Sequence, residues 1–346
     1  MIVVMKTDAT TEQVQDVRQA IRDLGLTDHP IEGTELTVVA AIGDDRKKDR
    51  EAFEAMAGVS KVVPILAPYK RSSIEVKPDR TRVALSDRCV VGGDRVEVIA
   101  GPCSVEGEDE ILQAARAVRD AGATALRGGA FKPRTNPYAF QGFGEDGLKM
   151  LDAARAQTGL AIVTEVVAPA DVDLVSQYAD CLQIGARNAQ NFELLKAVGA
   201  QPRPVLFKRG MAMTLDEYLL AAEYILDAGN EQVILCERGI RTFENHVRNT
   251  LSLAAIAEVH QRSHLPIIAD PSHGSGHAHL VPSLAYASVA AGADAVILEV
   301  HPDPQHALTD GAQSITPDTL RQMMPVMANI AHSIGRSFAG PDVVVA

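Results

Sequence analysis

Apolar residues recur along the chain in two successive rhythms. Over residues 1–68 a strand-like MIVVM is followed by a helix-like TEQVQDVRQAIRDLG, a strand ELTVVAAIG, a helix-like DREAFEAMAG and a strand VSKVVPILAP, with a short extended piece near residues 29–31. Period-two alternation marks half-buried strands, and recurrence at about 3.6 residues marks amphipathic helices. The order is β-α-β-β-α-β, which predicts a small ferredoxin-like α+β module.

PYKRSSIEVKPDRTR keeps neither rhythm and carries proline, serines and charges, predicting a linker over residues 69–81. RVALSDRCVVGGD then reads as a small hairpin with a Gly-Gly turn. From Val96 the second rhythm begins. VEVIAGP, TALRGGAF, AIVTEVV, CLQIGA, PVLFKRG, QVILCERG, PIIADPS and AVILEV are compact apolar runs, separated by amphipathic segments such as EDEILQAARAVRDAGA, LDEYLLAAEYILDAG and NHVRNTLSLAAIAEVHQR. Eight buried strands with helical crossovers make a (β/α)8 barrel, which takes about 250 residues, and residues 82–340 supply it. A doubly wound sheet would show a Gly-rich dinucleotide loop after its first strand, and none is present.

Charge and composition narrow the partners. A net charge of -12 argues against nucleic acid or an anionic membrane surface, which need a basic face. The absence of a long apolar run or a secretion signal predicts a cytoplasmic protein. The four cysteines, Cys89, Cys103, Cys181 and Cys236, are scattered without a CxxC pair, so reduced thiols are expected rather than disulfides or a zinc finger. Core filler is the plain expectation for Cys89, Cys181 and Cys236.

In this barrel architecture chemistry sits at the C-terminal strand ends. Read in order, those ends deliver Cys103-Ser104, Arg127, Lys132-Pro133-Arg134-Thr135, Glu165, Gln183, Arg187, Lys208-Arg209, Glu237-Arg238, Asp270, His273, Glu299 and His301. Salt bridges closing the mouth would absorb some of these. Arg127, Lys132, Arg134, Arg187, Lys208 and Arg238 nevertheless outnumber Glu165, Glu237 and Glu299, so a ligand with two phosphates, or a phosphate and a carboxylate, would balance the charge. Cys103, His273 (on a Gly-rich turn in DPSHGSG), Glu299 and Asp310 bring thiolate, imidazole and two carboxylates together. That donor set suits a divalent transition metal better than Ca2+ or Mg2+.

GPCS, KPRT, IGARNAQNF, FKRG, ILCERGIRTFE, DPSHGSG and ILEVHPDP together closely resemble the 3-deoxy-D-arabino-heptulosonate 7-phosphate (DAHP) synthases, over residues 80–335. The N-terminal module resembles the extension of one branch of that family. The resemblance implies metal-dependent condensation of phosphoenolpyruvate with erythrose 4-phosphate at the head of the shikimate pathway, with release of phosphate. Carried onto this sequence, the metal ligands fall on Cys103, His273, Glu299 and Asp310, for Mn2+, Co2+, Fe2+ or Zn2+. The phosphoenolpyruvate site falls on Arg127, Lys132, Glu165, Arg187, Lys208 and Arg238, and the erythrose 4-phosphate site on Arg134 and Thr135. Lys132, crowded by Arg127 and Arg134, is expected to have a lowered pKa and to deliver a proton, while Glu165 or Glu237 handles the water. The resemblance further implies feedback by an aromatic amino acid, tyrosine or phenylalanine, through the N-terminal module. A module so small is expected to dock on another subunit, within a homotetramer.

Two rivals carry discriminating features. The related 3-deoxy-D-manno-octulosonate 8-phosphate synthases usually read Lys-Ala-Asn-Arg where this chain has Lys132-Pro133-Arg134-Thr135. A non-catalytic anion sensor should have lost some of the ligands and cations, and all are present.

Overall fold

The structure is a computed structural model and describes residues 1–33, 37–43, 50–63, 68–133 and 136–339. The chain divides into two compact units, residues 1–80 with 262–264, and the remainder.

The first unit carries β1 (Ile2–Met5), α1 (Thr11–Asp23), β2 (Thr27–Glu32), β3 (Thr37–Ile42), α2 (Arg50–Glu54) and β4 (Val59–Val63). Its sheet is antiparallel in the order β2-β3-β1-β4, the ferredoxin-like arrangement that the pattern predicts. Helix α1 starts where Thr10 and Gln13 form a reciprocal capping box, a feature that stabilises a helix start by about 1 kcal/mol. Val17 and Ile21 on its inner face pack with Val3, Met5 and Val39 on one side of the sheet. The opposite side buries Ile2, Val4 and Ala40 against Val76. Residues 69–80 thus contain no named helix or strand, yet they supply part of this unit's core.

The second unit begins with β5 (Val83–Ser86) and β6 (Cys89–Val91), followed by the barrel strands β7 (Arg95–Gly101), β8 (Ala125–Arg127), β9 (Ala161–Glu165), β10 (Cys181–Ile184), β11 (Val205–Lys208), β12 (Val233–Glu237), β13 (Ile267–Ala269) and β14 (Ala295–Glu299). Between and after them run α3 (Glu108–Asp120), α4 (Glu145–Thr158), α5 (Val172–Tyr178), α6 (Phe192–Gly199), α7 (Leu215–Asp227), α8 (Leu253–Arg262), α9 (Pro271–Ser275), α10 (Val281–Ala290) and α11 (Pro317–Ser333). The eight parallel strands pair in sequence order and β14 returns to β7, closing the predicted (β/α)8 barrel. All eight apolar runs are strands, because each is buried on both faces and needs no polar alternation.

Three local expectations need correction. The hairpin turns at Asp87-Arg88, and Gly92-Gly93 instead lead from β6 into β7. Val83, Leu85, Cys89 and Val91 of that hairpin pack with Ala125, Ala161, Cys181 and Ala295, the first residues of four barrel strands, and so plug the N-terminal end. His273 lies on α9 rather than in a turn, because the Asp270 side chain accepts from its backbone N–H and Pro271 opens the helix. Helix α8 starts only at Leu253. Residues 248–250 give their N–H groups to Ser275, Gly274 and Ile240 carbonyls instead of to a helix. Cys89, Cys181 and Cys236 are buried free thiols in the barrel core, as expected. Among the described residues no helix is long and apolar enough to cross a membrane.

Candidate active site

Parallel register sets Glu299 of β14 beside Gly101 of β7, two residues before Cys103. Gly101 has φ +156, and a Cβ there would stand 2.1 Å from the Arg127 carbonyl oxygen, so only glycine lets the chain leave the strand this close to β8. Cys103 Sγ then lies 3.2 Å from Asp310 Oδ2. Cys103, Glu299 and Asp310 each offer a ligand atom, all within 4.8 Å of one another. His273, the fourth expected ligand, stands at the edge of this trio, with Nε2 3.5 Å from Glu299 Oε1 and Nδ1 2.8 Å from Asp270 Oδ2.

The electrostatics follow from burial. Burial pushes the Cys103 thiol up to about 12, with Glu299 adding to the rise and Lys132 and Arg127 opposing it. For Glu299 burial also disfavours the charge, but His273, Arg127 and Lys132 together bring the carboxyl down to about 2. His273 is lowered, chiefly by burial, against the pull of Asp270 and Glu299, which leaves a neutral imidazole at neutral pH. Sulfur, neutral imidazole and two carboxylates fit a borderline divalent transition metal. Asp270 Oδ2 stands close to His273 Nδ1 without forming a hydrogen bond to it, in the place of the carboxylate that usually orients a ligating histidine.

The rim cations separate into two groups. Arg127 donates to Glu299 Oε1 at 2.9 Å and to the Pro102 carbonyl at 2.8 Å. Lys208 lies 2.5 Å from Asp270, and Arg209 2.8 Å from Glu237. These three are neutralised inside the protein. Arg238 is buried with Nη1 unpartnered among the described residues. Burial lowers its pKa, Asp270 opposes that, and Arg248 and Arg187 lower it further. Arg248 also lies 3.7 Å from Asp310 Oδ1, so a single carboxylate faces three crowded guanidinium groups, an arrangement that can take up a polyanion.

A cavity of about 280 Å³ opens among Lys132, Glu165, Arg187, Arg248, His273 and Asp310. Lys132 Nζ lies 3.1 Å from Cys103 Sγ and 3.0 Å from its carbonyl oxygen. Its pKa is raised rather than lowered as expected. Burial would lower it, but Cys103, Glu165 and Glu299 outweigh burial and Arg127. Glu165 Oε2 accepts from Gln183, its register partner on β10. A Cβ at Gly185 would stand 2.1 Å from Glu165 Oε1, so this glycine makes the room the carboxylate occupies. Glu237 does not reach the cavity, because Arg209 and the Gly239 N–H occupy its two oxygens. Arg134 and Thr135 lie outside the described residues.

Arg248 and Gln313 are among the residues that escaped the sequence reading. Arg248 donates to Gln313 Oε1 at 2.8 Å, and Gln313 Nε2 donates to Glu299 Oε2 at 2.6 Å, which links the cavity wall to the donor trio. The apolar spacing of α8 begins only at Leu253, and the polar run before it could have marked Arg248 as a rim-loop residue.

Residues 75–335 match the DAHP synthetase I family, and residues 1–67 match the DAHP synthase ferredoxin-like domain. The chain is 45% identical to a phospho-2-dehydro-3-deoxyheptonate aldolase of Thermotoga maritima, over 97% of this chain and 99% of that protein. It is 34% identical to a 2-dehydro-3-deoxyphosphooctonate aldolase of Syntrophotalea carbinolica, over 72% of this chain and 97% of that one. The crystal structure of the Thermotoga maritima DAHP synthase superposes with a TM-score of 0.78 at 44% identity, covering 97% of this chain and 98% of that chain. The heptonate relative thus covers nearly the whole chain, N-terminal module included, and the octonate relative about three quarters of it. With its barrel and its N-terminal module both matched, the chain belongs to the DAHP synthetase I family and carries that family's ferredoxin-like domain.

Proposed function

We propose that this chain is a DAHP synthase, condensing phosphoenolpyruvate with D-erythrose 4-phosphate and water to give DAHP and inorganic phosphate. One observation carries the reading. One rim cavity is lined by His273 and Asp310, two of the expected metal ligands, together with Arg187 and Arg248, which supports an electrophile-activating centre and a polyanion receptor in one space.

Residue roles follow from what each group is free to do. A divalent metal held by Cys103, His273, Glu299 and Asp310 would supply Lewis acidity at the aldehyde oxygen. Arg187 and Arg238 hold phosphoenolpyruvate, matching its phosphate and carboxylate with planar forks, whereas Arg127 and Lys208 are already committed to Glu299 and Asp270. Arg134 and Thr135 are assigned the phosphate of erythrose 4-phosphate. Carbon 3 of phosphoenolpyruvate attacks the aldehyde carbon, and Lys132, protonated and facing the cavity, delivers the proton to the new hydroxyl. Water adds at carbon 2, and C–O cleavage releases phosphate. Glu165, which lines the cavity, positions that water, whereas Glu237 is already committed to Arg209 and Gly239. Residues 1–68 are assigned feedback control by tyrosine or phenylalanine, within a homotetramer.

The test is phosphate release, measured with erythrose 4-phosphate and in parallel with arabinose 5-phosphate. Turnover is expected with the first substrate alone, lost to a chelator, restored by Mn2+, Co2+ or Zn2+, and weakened in metal affinity by Cys103→Ser. Full activity in metal-stripped protein, or preference for the pentose phosphate, would overturn the reading.

A further inference from the structure

Cys103 and Asp310 are separated by 207 residues, and the segments next to them are clamped together by side chains that none of the roles above uses. Ser104 Oγ lies 2.6 Å from Thr309 Oγ1, with both residues buried. Glu106 Oε1 accepts from the Leu308 N–H at 3.0 Å and from Ser104 Oγ at 3.2 Å. Its other oxygen, Oε2, stands 3.4 Å from His301 Nε2, and the side chain is 8% exposed. His301 Nδ1 in turn accepts from the Asp303 N–H at 2.9 Å. One carboxylate therefore grips the loop after β14 at both ends, at residue 301 just beyond the strand and at residue 308 just before Asp310.

Such a grip is needed because Asp310 has φ +49 and ψ +31, the only non-glycine residue with positive φ among the described residues. A non-glycine residue in the left-handed region persists where its surroundings over-determine it. A carboxylate is also costly to bury unless each oxygen finds a partner, and Glu106 finds its partners in this loop.

We infer that Glu106 is a positioning residue for the donor cluster, holding the loop after β14 on the segment that follows Cys103 so that Asp310 Oδ2 stays within reach of Cys103 Sγ. The inference rests on the metal reading of Cys103, Glu299 and Asp310. Glu106 touches neither substrate nor the reacting atoms. Its effect should appear in metal affinity rather than in the chemistry of the loaded enzyme.

The experiment is calorimetric titration of full-length, metal-stripped protein with Co2+, alongside the thiolate-to-cobalt absorption that reports Cys103. Outer contacts of metal ligands typically carry about 10–100-fold in affinity, and Glu106→Ala is expected to weaken Co2+ binding at least about tenfold. Glu106→Gln keeps an acceptor for the Leu308 N–H and should lose less. In turnover the loss should appear as a higher Co2+ requirement, recovered at saturating Co2+. Ser104→Ala removes the Thr309 contact and one hydrogen bond to Glu106 while keeping the bond from the Leu308 N–H to Glu106, and it should weaken binding in the same direction, so the inference stays testable if Glu106→Ala does not fold. If wild-type protein binds Co2+ with the thiolate band and Glu106→Ala binds it equally well, the clamp idea is wrong while the metal reading stands. If wild-type protein shows no such binding, the metal reading itself fails. A fall in kcat at saturating Co2+ with unchanged affinity would also overturn the inference, because it would place Glu106 in the chemistry.

Discussion

Replacing Asp270 by asparagine removes the carboxylate that Lys208 and His273 share. Lys208 Nζ is 2.5 Å from Asp270 Oδ2, and the two side chains are 4% and 2% exposed, so the variant strands an ammonium where water cannot reach it. Breaking one side of a buried pair costs about 3–5 kcal/mol, mostly the desolvation of the charge left behind. At about 2–4 °C per kcal/mol for a domain of this size, the barrel's Tm should fall by roughly 6–20 °C. Asparagine still offers Oδ1 to the His273 N–H, so loss of the α9 cap does not account for such a drop. Scanning calorimetry of the metal-free protein measures it, with Lys208→Met and the double variant completing the cycle. The double variant should recover much of the loss, because it removes the stranded ammonium together with its partner. The acid limb gives an independent check. Burial alone would raise the Asp270 carboxyl, yet His273 and Lys208 hold it well below the usual carboxylate range. A carboxyl depressed in the folded state stabilises above its unfolded pKa, about 3.9, and loses that contribution as pH falls toward the folded value. The gap between wild type and Asp270→Asn should therefore narrow below about pH 4. A Tm within 2 °C of wild type at pH 7, or a double variant as unstable as the sum of the single ones, would refute the pairing argument.

Other outcomes follow from the same site. Arg238→Ala should raise the KM for phosphoenolpyruvate about 30-fold, equivalent to about 2 kcal/mol, while leaving the KM for erythrose 4-phosphate largely unmoved, as steady-state phosphate release would show. An equal effect on both substrates would mean that Arg238 supports the fold rather than one anion. Lys132→Arg keeps the positive charge but not the ammonium proton donor near Cys103, so kcat should fall more than KM rises; the reverse would assign Lys132 to binding alone. Deleting residues 1–68 should leave a metal-dependent synthase that tyrosine or phenylalanine no longer inhibits, and an intact protein already indifferent to both would remove the regulatory assignment.

All eight barrel strands and the helices of the first unit could be read directly because the buried runs are mostly apolar and the quoted helices carry a stripe. That information is local, needing only the positions of Val96, Ile99 or Leu298 along the chain. The C-terminal ends of the runs were equally legible, so Cys103, His273, Glu299 and the rim cations could be named before any contact was known. Their partners could not be. A count of rim charges treats Arg127, Lys208 and Arg238 alike, whereas barrel closure gives Glu299 to Arg127 and Asp270 to Lys208 and leaves Arg238 with a buried, unpartnered Nη1. Lys132 shows the same limit. Its neighbours in sequence are cations, but its neighbours in space are Cys103, Glu165 and Glu299, and the sign of its pKa shift reverses. Arg248 stands at the cavity because residues 248–250 exchange helical hydrogen bonds for carbonyls at the end of α9 and of Ile240. Apolar periodicity reports which face of an element is buried. Charge pairing falls off over a few ångströms and depends on which strand ends become neighbours, so only the closed barrel decides which charges remain for a ligand.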